Sequence, residues 1–178
     1  ALDFKYSEIE EILLKINIAS LKNITSENII NFFDTYGIDD GKYFNRLIKI
    51  IFINKTKNEN ITFKELYELT GKRLIITATC VNTMKITYFD YVNTPDIAIL
   101  TTLMMSICVP ILFNPIKLNN KYYVDGGLTN HYPIDFFKDD IKNTFGMLVT
   151  TELNINKSIN NIKDYLINIT SCSLCKII

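Results

Sequence analysis

Histidine occurs once in the 178 residues, as His131, so the chain cannot assemble a metal centre from imidazoles. An excess of one charge is missing too: 19 Lys and Arg balance 19 Asp and Glu. Without a net field the chain is not steered towards nucleic acid, and Lys55 and Lys57 read as solvated loop charge. Glycine is scarce, with only Gly37, Gly41, Gly71, Gly126, Gly127 and Gly146. No two of these flank a serine as Gly-x-Ser-x-Gly, and no glycine-rich loop offers several N–H groups to an oxyanion. No leader is expected either. Residues 2–4 are too short an apolar stretch and acidic residues follow, so an intracellular protein without a signal peptide is expected.

Four cysteines are present. Cys80 and Cys108 lie in apolar runs and read as small buried hydrophobes. Cys172-x-x-Cys175 is half of a zinc site or a redox pair, but no second pair accompanies it. Lys176 does not suit a prenylation signal. No metal and no cofactor are expected.

What is present describes a folded chain of one domain's length: 48% of its residues are hydrophobic and 21% charged. The most hydrophobic window, 97–113, is broken by Pro110 and Asn114-Pro115 and lacks basic flanks, which favours a buried helix over 96–107 rather than a membrane span. Ser106, at its end, lacks the flanking glycines of a nucleophile elbow.

Helical periodicity recurs upstream. Ser7 and Glu10 form a capping box for a helix over 8–17, with Ile9, Ile12, Leu13 and Ile16 on one face. Ser26 caps a second helix that Gly37 stops, and Asp40 opens a third, followed by a polar loop over 54–60. Thr62 and Glu65 form another box, ending at Gly71. The β-branched run 74–81 predicts a strand buried on both faces of a parallel sheet. An alternating strand over 84–91 follows, then a helix starting at Thr94-Pro95.

The chemistry concentrates further on. Residues 121–124 read as a strand entered through a two-residue Asn119-Asn120 turn. The strand ends on Asp125-Gly126-Gly127, which displays a carboxylate where the backbone can turn sharply. Alone, that triplet is a turn signature. Here Ser106-x-x-x-Pro110-x-x-Phe113-x-Pro115 precedes it and Leu128-Thr129-Asn130-His131-Tyr132-Pro133-Ile134 follows. Together these resemble the C-terminal half of the patatin-like phospholipase domain, with Cys108 where the family often has Ala and His131 where a second Asn is common.

The resemblance implies an α/β fold, a three-layer α/β/α sandwich with a mainly parallel sheet. It implies a serine acyl hydrolase working with a Ser–Asp dyad on lipid or phospholipid esters at a peripheral membrane surface. Asp125 would be the proton acceptor, with Gly126 and Gly127 forming the motif loop. Residues 1–9 resemble the segment after the nucleophile helix. The chain is therefore expected to be N-terminally truncated, with the serine upstream, residues 1–150 forming the C-terminal part of the domain and 151–178 a helical extension. Between them, a short helix over 133–142 with Phe136 and Phe137 inward and a buried strand over 145–150 are expected. Two other readings stand beside this one: an inactive, truncated module that binds lipid or a protein partner, and a hydrolase built on His131 and an aspartate, which also needs a nucleophile.

Overall fold

The computed structural model describes Leu2, residues 4–17 and 21–148, and residues 158–161, 164–165 and 168–169 of the tail. The elements run α1 Tyr6–Lys15, α2 Ser26–Ile30, α3 Phe32–Thr35, β1 Gly37–Asp39, α4 Lys42–Thr56, α5 Phe63–Thr70, β2 Ile76–Cys80, β3 Lys85–Phe89, α6 Ile99–Ser106, β4 Ile111–Phe113, β5 Ile116–Leu118 and β6 Lys121–Asp125. Two 3₁₀ segments, Gly126–Leu128 and Ile134–Asn143, follow.

Several helix ends depart from the sequence reading. α1 starts two residues early, because Glu8 accepts the Lys5 N–H at 2.8 Å and takes the role expected of Glu10. Thr25, not Ser26, caps α2 by accepting the Asn28 N–H. Tyr36, left-handed at φ 61°, terminates α3, and Gly37 already belongs to β1. The Thr62–Glu65 box forms in both directions, at 2.8 and 3.2 Å. The next two N–H groups of α5 donate to the carbonyls of Ile97 and Pro95, at 3.3 and 3.0 Å. That is why Pro95 starts no helix. Its segment is recruited to cap another one, and α6 waits until Ile99.

The class is α/β. β1 pairs with β4 in parallel, while the larger sheet, ordered β3-β2-β6-β5, is antiparallel at every pairing. The mainly parallel character expected of the sheet is thus confined, among the described residues, to β1 and β4. Short connections explain the β2–β3 and β5–β6 pairings: residues 81–84 and the Asn119-Asn120 turn cannot carry a crossover. Both asparagines adopt positive φ, 49° and 60°, as the hairpin requires.

β2 is central and nearly all buried, as its β-branched run predicts. Ile76, Ala78 and Cys80 point to one face, with Phe89 and Tyr123 beside them in the register. Onto this face pack Ile99, Leu100, Met104 and Met105 of α6, Phe63 and Leu66 of α5, and Phe52 of α4. Fully burying a side chain such as Phe63 or Phe89 contributes about 1.5–3 kcal/mol. On the other face Tyr88 stacks on Phe136, ring centres 4.6 Å apart. Helical segments therefore cover both faces of the sheet.

The C-terminal expectations fare less well. Ile134–Asn143 is 3₁₀ with non-helical backbone at Phe137 and Asp140, and Phe137 is exposed rather than inward. Residues 145–148 form no strand and pair with none among the described residues; Phe145 and Met147 are 90% and 78% exposed. Thr150, Cys172, Cys175 and most of the helix expected over 152–178 lie outside the described residues. No helix among the described residues is long and apolar enough to cross a membrane.

Candidate active site

Asp125 ends β6 after buried Tyr123 and Val124. Strand alternation puts its side chain on the face it shares with Tyr123, beside the C-terminal end of α6. Its backbone is held from two sides: the N–H donates to the Cys108 carbonyl at 2.8 Å, and the carbonyl accepts the Thr79 hydroxyl at 2.8 Å. Thr79 in turn shares a 3.0 Å hydrogen bond with the Thr129 hydroxyl, which fastens the turn after the motif to β2.

The carboxylate is half-buried. Oδ1 accepts the Gly127 N–H at 2.8 Å. Oδ2 accepts nothing from the described residues, and no lysine, arginine or histidine pairs with the group there. A carboxylate oriented through one oxygen and open at the other can take a proton from a hydroxyl brought within about 3 Å.

The two glycines do different work. A β-carbon on Gly126 would lie 2.6 Å from Thr77 Oγ1, 2.8 Å from the Thr77 carbonyl oxygen and 3.0 Å from its carbon. Only glycine lets the chain pass that close to β2. A β-carbon on Gly127 would meet side chains instead, His131 Nδ1 at 3.1 Å and Asp125 Oδ1 at 3.2 Å. His131 and Asp125 therefore flank the same glycine, yet they share neither a hydrogen bond nor an ion pair.

Cys108 supplies the site with more than a carbonyl. Its thiol donates to the Asn114 carbonyl at 3.1 Å. Burial, then the neighbouring Asp125 charge, pushes that thiol up to about 12, so it stays protonated and is no nucleophile at neutral pH. Ser106, half-buried at the end of α6, does not reach the Asp125 carboxylate by a hydrogen bond. Among the described residues no group of three His, Cys, Asp or Glu could hold a metal ion.

Sequence reasoning named Asp125, Gly126 and Gly127 as candidates, and the structure puts Asp125 at the end of β6 with the two glycines in the turn that follows. It missed Thr79 and Cys108. In the sequence Thr79 is one β-branched residue in a strand-forming run, and nothing local marks its hydroxyl as the partner of a carbonyl 46 positions away.

The chain belongs to the patatin-like phospholipase family, whose model matches residues 1–138. That stretch contains the whole sheet and the Asp125 turn. Among individual proteins, it is 48% identical over 81 residues to one described as a probable lipid hydrolase from Invertebrate iridescent virus 6, a match covering 46% of this chain and 28% of that protein. It is 27% identical over 176 residues to an uncharacterized protein of Acanthamoeba polyphaga mimivirus, covering 95% of this chain and 58% of the relative. The chain thus spans little more than half the length of the second relative, and the match to the first takes in less.

Proposed function

We propose that this chain is the Asp-bearing portion of a lipid acyl hydrolase that cleaves phospholipid or related ester bonds through a Ser–Asp dyad. The reading is carried by one observation: a fixed carboxylate with one oxygen oriented by Gly127 and the other unengaged. Membership of the patatin-like phospholipase family and the described activity of the iridescent virus relative support the choice of lipid.

Asp125 accepts the proton of a serine that lies outside these 178 residues, since the sequence contains no Gly-x-Ser-x-Gly. As that oxygen attacks the ester carbonyl, an acyl-serine forms and the alcohol departs with the proton. Asp125 then deprotonates a water, which attacks the acyl-serine and releases a fatty acid. Residues 1–150 form the C-terminal part of the catalytic domain, and 151–178 an extension. The substrate implies peripheral contact with a membrane surface. Apolar side chains on α1 to α3, with Leu14 82% and Phe33 85% exposed, support such contact.

The test is ester hydrolysis by the full-length protein. Asp125→Asn should lower kcat by about 10²- to 10⁴-fold with little change in KM, while His131→Ala should leave most activity. The 178 residues alone should hydrolyse no p-nitrophenyl ester above background. Loss of activity on His131→Ala with Asp125→Asn still active would reassign the base. A full-length protein without hydrolysis would leave a module that binds lipid or a partner.

A further inference from the structure

A cavity of about 550 Å³ opens between the start of β2, α6 and the second 3₁₀ segment. That is within the usual range for small-molecule sites. Leu74, Ile76, Leu103, Phe136 and Phe137 give it an apolar lining. Thr77, which touches Gly126, forms part of its wall, so the cavity reaches the motif turn. Among the lining residues only Arg73 carries a charge.

Arg73 is held in place rather than waving in solvent. Its Nε donates to Asp90 Oδ2 at 3.1 Å, and Nη2 bonds the same oxygen. Asp90 is fully buried, and its other oxygen accepts the N–H groups of Val92 and Asn93, at 3.0 and 2.7 Å, and the Asn93 amide at 3.0 Å. The guanidinium lies 5.5 Å from the centre of the Phe136 ring. Nη1 engages no acceptor among the described residues. A preset donor at the rim of an apolar hollow matches an alkyl chain with an acidic head.

We infer that this cavity binds a medium-chain fatty acid such as laurate, with its alkyl chain among Leu74, Leu103 and Phe136 and its carboxylate on Arg73. The inference deepens the function proposed above and rests on it for the identity of the amphiphile, because ester hydrolysis releases a fatty acid beside Gly126. Asp90 already offsets part of the Arg73 charge. The gain from the carboxylate is therefore a directed hydrogen bond, on the order of tenfold in affinity.

Calorimetric titration of the 178-residue chain with laurate and with 1-dodecanol, both below their aggregation limits, tests this. Laurate should bind about tenfold more tightly than the alcohol. The double variant Arg73→Gln with Asp90→Asn removes both charges and leaves no lone buried carboxylate. It should lower laurate affinity to that of dodecanol and leave dodecanol binding unchanged. Arg73→Lys, which keeps a charge beside Asp90, should give an intermediate loss and serves if the double variant melts at the assay temperature. Leu103→Trp should weaken both ligands at least tenfold by filling the cavity. No binding of laurate, equal binding of acid and alcohol, or unchanged affinity in Leu103→Trp overturns the inference. Asp125→Asn should leave laurate binding intact, so failure here is separable from failure of the hydrolytic reading, which is measured on esters in the full-length protein.

Discussion

Replacing Gly126 by alanine should destabilise the fold through a single contact. Neither Gly126 nor Gly127 has positive φ, so alanine is conformationally acceptable at both. The difference lies in what the added methyl meets. At Gly126 it would sit 2.8 Å from the Thr77 carbonyl oxygen and 3.0 Å from the carbonyl carbon, where ordinary contact begins near 3.4 Å. The Thr77 hydroxyl can rotate away, but the carbonyl belongs to β2, paired with β3 on one side and β6 on the other. A shift of about half an ångström must then pass into the central strand. Overpacking of this kind costs about 1–3 kcal/mol, and the rigid neighbour places it in the upper half. At about 2–4 °C per kcal/mol for a chain of this size, Tm should fall by roughly 4–12 °C. Gly127→Ala would press only on the ends of the His131 and Asp125 side chains. It should cost less than about 1 kcal/mol, yet it moves the carboxylate oxygen and should reduce kcat of the full-length protein by about tenfold or more. Thermal melting followed by circular dichroism separates the two variants. If Gly126→Ala melts within 2 °C of the parent, the close-approach argument fails.

Two further predictions concern buried groups. Burial opposes the Asp90 charge, but Arg73 and the Asn93 and Val92 N–H groups outweigh it and hold the carboxyl below the usual carboxylate range. A carboxyl lowered in the folded state adds stability above its unfolded value near about 4, and that stability is lost as pH falls through the folded value. Urea unfolding between pH 5 and pH 2 should therefore show a steeper acid decline in the parent than in Asp90→Asn, and parallel declines would contradict the assignment. The Cys108 thiol, buried and protonated, should resist iodoacetamide at pH 8 until the protein unfolds. Peptide mapping that finds Cys108 alkylated in the native state at the rate of a free thiol would refute this.

Much of the backbone around the candidate site was legible because its determinants are local. The Asn119-Asn120 hairpin, the Thr62–Glu65 box and the Asp125 turn each depend on residues within a few positions, and each forms as read. What misled was chemistry supplied from a distance. The 95–97 segment looks like a helix start, but its carbonyls serve α5. β2 reads as a strand buried on both faces, and that pattern is the same whether its neighbours run parallel or antiparallel. The apolar residues at 145–148 resemble a strand, but a strand needs a partner, and sequence alone does not say whether one is free.

The hold on position 125 uses a main-chain N–H, a main-chain carbonyl and the Thr79 hydroxyl. None of these involves the Asp125 side chain. A relative carrying another side chain there would keep the same strand end in place. Likeness of the backbone at this turn therefore says little about which side chain it carries.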